Sequence, residues 1–279
     1  MKINFMDGGM LFEINKKYKD YGQYAFDNDK DLINNLYKNY IDIGCKFITT
    51  SNYCFKPSYI NDWKKYTQKS INIVQKFRNE NVKIMGSIPP YKKSYTICEI
   101  DKDFKNFYKD LVNIFKSKVD FYIIETGFHK LEIIEIYNII NSIDKNTKVI
   151  VSLYPNKNHL KYIQYYLDLN IYGLFLNCVS LTEIIYFYNN YLINKNFNNK
   201  KFGFYCNNID EKKYSQEIKS ISSNKIELNL ENYKSNNKLD QKDIISFLNN
   251  LKHDEIFIGG CCGYGVAEMK ELFNLVKKL

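Results

Sequence analysis

The sequence predicts an α/β protein of one domain over residues 1–279, folded as a (β/α)8 barrel of the TIM-barrel type. The length of 279 residues suits one large α/β domain. Eight short apolar runs recur along the chain, and segments with helical spacing separate most of them. Strands that alternate with helices favour a parallel sheet, and eight such units favour a closed barrel. An open doubly wound sheet is the alternative, but no Gly-x-Gly-x-x-Gly pattern follows the first strand.

Most of the predicted strands are continuous apolar runs, as expected for strands buried on both faces. They are Ile3–Gly9, Phe47–Tyr53, Val82–Ile88, Phe121–Thr126, Lys148–Tyr154, Gly173–Cys178, Lys201–Asn207 and Ile256–Cys262. The segments between them repeat apolar residues at the period of a helix, which predicts an outer layer of helices. These are Asp31–Ile43, Trp63–Phe77, Phe104–Phe115, Leu131–Ile143 and Val266–Leu279.

Residues 207–240 are the least regular part of the chain, rich in Asn, Lys and Ser. We interpret them as a long irregular loop after strand seven, in which Lys225–Leu230 could form an extra strand. No internal repeat and no Pro/Gly-rich linker marks a second domain.

The charge pattern argues against a nucleic-acid partner. The formal net charge is +9, but the lysines are spread over nearly every predicted helix instead of forming a patch. No signal peptide and no run of about 18 apolar residues is found, so no membrane association is expected. Seven cysteines without a signal indicate reduced thiols and a cytoplasmic location. The oligomeric state is not encoded in any pattern.

Three cysteines stand where predicted strands end. Cys178 closes strand six, and Cys261 and Cys262 close strand eight. The carboxyl ends of barrel strands meet at one mouth, so three thiolates there would bind a zinc ion and leave its fourth position open. Neighbouring side chains on a regular strand point to opposite faces, so Cys261 and Cys262 can share an ion only where the backbone leaves strand geometry. A vicinal disulfide or two ordinary buried thiols is the alternative.

Further polar side chains stand at other strand ends. Asp7 follows strand one and Glu125 ends strand four, which places two acidic groups at the same mouth. Cys206 ends strand seven and is a candidate nearby or substitute ligand. His129 begins a His-x-x-Glu pattern that can bind metal on a helix, but a polar residue at a helix start is the favoured explanation, and His159 is expected to be exposed.

Taken together, these residues resemble the homocysteine S-methyltransferase family, which includes betaine–homocysteine methyltransferases. The resemblance implies a (β/α)8 barrel with Cys178, Cys261 and Cys262 as zinc ligands. It implies that Asp7 and Glu125 hold the amino group of homocysteine, and that the backbone of Gly8 and Gly9 lies near the amino-acid head group. The matching motifs are Asp7-Gly8-Gly9, Thr50-Ser51-Asn52-Tyr53, Gly86-Ser87 with Pro90-Tyr91, Glu125-Thr126, Asn177-Cys178 and Ile258-Gly259-Gly260-Cys261-Cys262-Gly263.

The implied reaction transfers a methyl group from S-methylmethionine, S-adenosylmethionine or betaine to the thiolate of homocysteine, giving methionine. Tyr53 or Tyr91 could contact such a cationic donor through its ring. The chain departs from the family pattern at Met10–Ile14, at Pro89 and at Cys206. These departures leave open a catalytically silent zinc-binding relative, or a methyltransferase acting on another small thiol or selenol.

Overall fold

The structure is a computed structural model that describes residues 1–18, 20–127, 129–155, 159, 161–208 and 241–277. All eight predicted strands are present, and each is parallel to its neighbours. The possible strand at residues 225–230 and most of the predicted loop lie outside the described residues. The strands are β1 (Lys2–Phe5), β2 (Phe47–Thr49), β3 (Lys83–Ile88), β4 (Phe121–Gly127), β5 (Lys148–Leu153), β6 (Gly173–Val179), β7 (Lys201–Cys206) and β8 (Glu255–Gly260).

The strands close into the predicted barrel. Their order is β1-β8-β7-β6-β5-β4-β3-β2, and β1 meets β2 through a bridge between Met6 and Phe47. The amide of Asp7 donates to the carbonyl of Phe47 across this seam at 2.9 Å. The first and last strands pair from Lys2 opposite Glu255 onward, so the ends of β1 and β8 lie side by side.

Helices cover the outside of the barrel, and the five predicted ones are present with ends shifted by a few residues. Side-chain caps start several of them, because Asp29, Asp101 and Ser180 each accept a hydrogen bond from a backbone amide of the first turn. The helices are α1 (Met10–Asn15), α2 (Gln23–Asn28), α3 (Lys30–Asp42), α4 (Trp63–Val74), α5 (Lys102–Phe115), α6 (Lys130–Ile143), α7 (Ile163–Asp168), α8 (Leu181–Phe187), α9 (Gln241–Asn250) and α10 (Val266–Val276).

Aromatic rings seal the barrel interior at the end opposite to the predicted site. Phe47, Phe121, Tyr172 and Phe257 come from β2, β4, the residue before β6, and β8, and neighbouring rings meet edge to face at 4.9–5.9 Å. Four side chains from alternate strands are the usual layer of such a barrel. Apolar side chains including Met85 continue the filling above this layer. Apolar side chains therefore fill the interior from the aromatic layer toward the middle of the strands.

In the described residues, every helix falls short of the length and apolarity needed to cross a bilayer.

Truncating Phe257 to Ala should lower the free energy of unfolding by about 3–5 kcal/mol, because it opens a cavity in the aromatic layer. Urea unfolding followed by circular dichroism measures this loss. Truncation of Tyr186, whose side chain is exposed, should change the free energy by less than about 0.5 kcal/mol. Equal losses in the two variants would contradict the assignment of the layer.

Candidate active site

Two strands bulge where they carry functional residues. In β6 the pairing with β7 shifts between Leu176 and Val179, and Cys178 lies at a φ of +56°. In β4 the pairing with β5 shifts between Ile124 and Gly127. Bulges re-aim side chains that regular alternation would direct elsewhere. The irregularity in β6 therefore sets the direction of Cys178, whereas Glu125 shares the inward parity of Phe121 and Ile123.

The backbone also leaves strand geometry after β8, as two adjacent ligands require. The amide of Cys261 donates to the carbonyl of Cys206 at 2.7 Å, and the carbonyl of Cys262 accepts from the amide of Asn208 at 2.9 Å. Gly263 has a φ of +75°, and a Cβ there would lie 3.0 Å from the Asn208 carbonyl oxygen. Glycine is required at this turn because other residues rarely adopt that conformation beside so close a neighbour.

The three sulfur atoms come together. The Sγ atoms of Cys178, Cys261 and Cys262 lie within 4.8 Å of one another, and this is the one such cluster of potential metal ligands in the described ranges. Cys261 and Cys262 are 3.9 Å apart at sulfur, so they are not joined as a disulfide. Tetrahedral coordination with metal–sulfur bonds of about 2.3 Å separates sulfurs by about 3.8 Å. The spacing fits one metal ion.

Hydrogen bonds link the three thiols and shift their pKa values in opposite directions. The pKa of Cys178 is held well below its ordinary value because the S–H groups of Cys261 and Cys262 donate to its sulfur. The same bonds raise the pKa values of Cys261 and Cys262, since these thiols keep the shared protons. A metal ion displaces such protons when it binds, because its ligands are thiolates.

Tyr95 is a site residue that the sequence reasoning missed. It lies in the loop after β3, at a φ of +63°, and its hydroxyl donates to the sulfur of Cys178. The neighbouring Ser94 shares a hydrogen bond of 2.6 Å with the hydroxyl of Tyr53, which also bonds Thr126 at 2.9 Å. One tyrosine among 25 carries no distinguishing signal.

A buried lysine fixes the start of this loop. Lys56 is fully buried, and its Nζ donates to the carbonyls of Pro90 at 3.1 Å and Lys92 at 2.7 Å. Burial lowers the pKa of Lys56 to about 8. At the other end of the loop, the amide of Cys98 donates to the buried Glu132 at 2.9 Å. Both anchors position the segment that carries Tyr95.

The two predicted acidic residues lie close to the sulfur cluster. Asp7 is 2 % exposed and accepts from the amide of Thr49 at 2.7 Å and its hydroxyl at 2.9 Å. Burial raises the pKa of Asp7 to about 7, although the bonds from Thr49 oppose this, and Glu125 raises it further. Burial also raises the pKa of Glu125 to about 7, with Ser87 lowering it and Cys178 raising it. Burial therefore disfavours a negative charge on both carboxyl groups.

Gly8 and Gly9 let the end of β1 approach the cysteine turn. A Cβ on Gly8 would lie 2.4 Å from the carbonyl oxygen of Tyr264, and one on Gly9 would lie 2.3 Å from that of Cys261. The amide of Gly9 donates to the carbonyl of Tyr264 at 2.8 Å. These contacts give both glycines a packing role; their nearness to a substrate head group stays a prediction.

Other candidates do not join the cluster. Cys206 buries its side chain in the core outside the barrel wall, where burial raises its pKa to about 12. Glu132 accepts from Cys98, and among the described residues it forms no metal cluster with His129. The expectation that His159 is exposed was wrong, because it is 2 % exposed and its Nδ1 lies 3.0 Å from the hydroxyl of Tyr166.

The fold and the site together define a (β/α)8-barrel protein with three thiols that fit one metal ion. The sequence profile of the homocysteine S-methyltransferase family matches residues 4–276. The chain therefore belongs to the homocysteine S-methyltransferase family and is a methyltransferase by that membership. The resemblance predicted from the motifs is confirmed.

Solved structures of one Escherichia coli protein share this fold. The metallated form of the homocysteine methyltransferase MmuM is similar over 98% of this chain and 96% of its own, with a TM-score of 0.69 and 15% identity. Its apo form is similar over 99% of this chain and 96% of its own, with a TM-score of 0.68 and 16% identity. Comparison with curated protein sequences gives no significant match.

Replacing Glu125 with Gln should flatten the pH dependence of stability. A carboxyl group whose pKa is higher in the folded state binds more protons there, so the free energy of unfolding falls as pH rises from about 4 to 7. Each pKa unit corresponds to about 1.4 kcal/mol, so Glu125 should account for a few kcal/mol of this decrease in the free energy of unfolding. The variant should lack that part of the decrease. Urea unfolding of the metal-free protein at several pH values measures it. Replacement of the exposed Glu99 by Gln is the control, and equal slopes for both variants would contradict the assignment.

Proposed function

We propose that this protein is a zinc-dependent methyltransferase that moves a methyl group from a small donor to the thiol of L-homocysteine, giving methionine. The observation that carries the proposal is the meeting of three cysteine sulfurs within 4.8 Å of one another. Asp7 and Glu125 at the same mouth support an acceptor that carries an ammonium group. Family membership supports the reaction. The proposal includes a role in methionine biosynthesis and a cytoplasmic location.

The metal ligands would be Cys178, Cys261 and Cys262, and three thiolates suit zinc among the common metals. When bound, zinc supplies the Lewis acidity that lowers the pKa of a thiol substrate, which is near 8.5 for a free alkyl thiol. Three protein ligands leave one tetrahedral position for that substrate.

The acidic pair would orient the acceptor. Thr49 holds the Asp7 carboxylate through two hydrogen bonds, so Asp7 needs no reorganisation when substrate enters. Burial raises the pKa values of both Asp7 and Glu125 to about 7, which disfavours their negative charge. An ammonium group between them would lower both pKa values and be held by charge-assisted hydrogen bonds.

Tyr53 is the better of the two proposed donor contacts. Its hydroxyl bonds Ser94 and Thr126, which keeps it beside the site. Tyr91 packs its ring against Phe104 and Phe107, at 5.9 and 5.4 Å between centroids. S-methylmethionine, S-adenosylmethionine and betaine all carry a cationic centre that an aromatic face attracts.

Two of the departures from the family pattern, at Met10–Ile14 and at Pro89, lie at positions with structural contacts. Met10–Ile14 lie in α1, where Met10, Phe12 and Ile14 are buried, and Glu13 accepts from the amide of Val266 at 2.9 Å at the start of α10. The carbonyl of Pro89 accepts from the buried hydroxyl of Tyr108 at 2.9 Å.

Replacing Cys261 with Ala should abolish both stoichiometric zinc binding and methyl transfer, because two thiolates no longer complete the site. Cys206→Ala is the matched control, since Cys206 lies outside the sulfur cluster, and it should keep both. Elemental analysis of the purified proteins and a methionine assay measure the two properties. Stoichiometric zinc in Cys261→Ala would overturn the ligand assignment.

A donor panel tests the reaction itself. The zinc-loaded protein should form methionine from L-homocysteine with at least one of S-methylmethionine, S-adenosylmethionine and betaine. Product is detected by mass spectrometry against a donor-free control. Zinc-loaded protein that forms no methionine with any of them would instead support the silent relative, and turnover of only selenohomocysteine would support another acceptor.

A further inference from the structure

The tip of the loop after β3 lies against the sulfur cluster. Tyr95 stands there with a φ of +63°, a conformation that bulky residues rarely adopt. Its hydroxyl donates to the sulfur of Cys178, and its ring packs on the ring of Tyr154 at 4.4 Å between centroids. A strained backbone that persists at such a contact points to a function of the side chain that it directs.

The sulfur of Cys178 accepts hydrogen bonds of two kinds. The S–H groups of Cys261 and Cys262 donate to it, and so do the hydroxyl of Tyr95 and the backbone amide of Cys262. A metal ion would displace the two S–H protons, because its ligands are thiolates. The hydroxyl and the amide do not depend on those protons, so both can still donate to a metal-bound sulfur.

Charge explains why this sulfur needs such donors. Three thiolates outweigh the two positive charges of a zinc ion, and the thiolate of an acceptor would add one more negative charge. Cys178 is 6 % exposed, so water contributes little to the solvation of its sulfur. Donors from the protein must therefore offset the buried negative charge.

A buried cation fixes the segment that leads to Tyr95. The Nζ of Lys56 donates to two carbonyls of this loop, and it lies over the rings of Tyr53 and Tyr59 at 5.4 and 4.5 Å from their centroids. Ser94, the neighbour of Tyr95, shares a hydrogen bond of 2.6 Å with the hydroxyl of Tyr53. Carbonyl oxygens and aromatic faces both attract an ammonium group, so the loop is held at a fixed place beside the cluster.

We infer that Tyr95 is an outer hydrogen-bond donor to the metal-bound thiolate of Cys178, and that Lys56 positions it there. The inference deepens the proposed function and rests on its three-cysteine metal site. Outer donors orient a metal ligand and tune the charge that it gives to the metal. Tyr95 thus holds Cys178 in its ligating orientation and offsets part of the negative charge of the site.

Tyr95→Phe tests the donor, because it removes the hydroxyl and keeps the ring. With Co²⁺ as the probe metal, the sulfur-to-cobalt charge-transfer band should move to longer wavelength, since a thiolate that loses a hydrogen bond holds its electrons less tightly. Zinc affinity, measured by competition with a chromophoric chelator, should fall about 10- to 100-fold. Tyr186→Phe is the matched control, because it removes the hydroxyl of an exposed tyrosine, and it should leave both properties unchanged.

Lys56→Met tests the positioning role. Alone, it should move the cobalt band in the same direction as Tyr95→Phe. Combined with Tyr95→Phe it should add little, because both changes remove the same interaction. Additive shifts in the double variant would show that Lys56 acts independently of Tyr95 and would overturn its positioning role.

An unmoved cobalt band in Tyr95→Phe would overturn the inference whatever the zinc affinity, since a merely structural role lowers affinity without changing the sulfur. Loss of an oxygen neighbour of zinc in the X-ray absorption of that variant would also overturn it, because Tyr95 would then be a ligand itself. A wild-type protein that binds metal, responds to Tyr95→Phe and transfers no methyl group would contradict the proposed function while supporting the inference. A wild-type protein that binds neither metal would overturn both.

Discussion

The site depends on the backbone leaving strand geometry at two places, because sulfur atoms from β6 and β8 cannot otherwise meet. Strand β7 separates those two strands in the sheet. Cys178 points inward because it lies in a bulge at a positive φ. Cys262 reaches the same cluster because it lies in a turn that Gly263 permits. Such conformations cost roughly 1–3 kcal/mol each for residues other than glycine and persist only where surrounding contacts impose them.

The surrounding contacts come from barrel closure. The amide of Gly260 donates to the carbonyl of Asp7 at 3.0 Å, and Gly9 donates to the carbonyl of Tyr264. The end of β1 is therefore bound to the turn that carries two cysteines. The same closure brings the Asp7 carboxylate to the mouth, so one set of backbone bonds positions both the metal ligands and an acidic group.

Electrostatics divides the mouth into a sulfur side and an acidic side. The thiolate of Cys178 lies near enough to Glu125 to raise the pKa of that carboxyl group. Glu125 in turn raises the pKa of Asp7. Buried carboxyl groups with raised pKa values beside a cluster of thiols are typical of functional sites. The loop after β3, anchored by Lys56 and Glu132, covers the sulfur side with Tyr95. A metal ion and an ammonium group would neutralise the two sides separately.

Sequence patterns predicted the barrel and the cysteines because both depend on local signals. Buried parallel strands are continuous apolar runs, and Cys178, Cys261 and Cys262 stand at strand ends that a barrel brings to one mouth. The short helices α1, α2, α7 and α8 escaped prediction, since about one or two turns give too little periodicity, and the ten-residue α9 escaped as well. Lys56 and Tyr95 escaped because they belong to abundant residue types in a biased composition. Their roles come from tertiary contacts, which no local pattern encodes.

X-ray absorption at the zinc edge tests the central claim most directly. The zinc-loaded protein should have three sulfur neighbours at about 2.3 Å and one oxygen or nitrogen neighbour. Addition of L-homocysteine should raise the sulfur count to four, because the substrate thiol takes the remaining position. A sulfur count that does not rise with homocysteine, or that is below three in the free protein, would contradict a three-cysteine site open to the acceptor thiol.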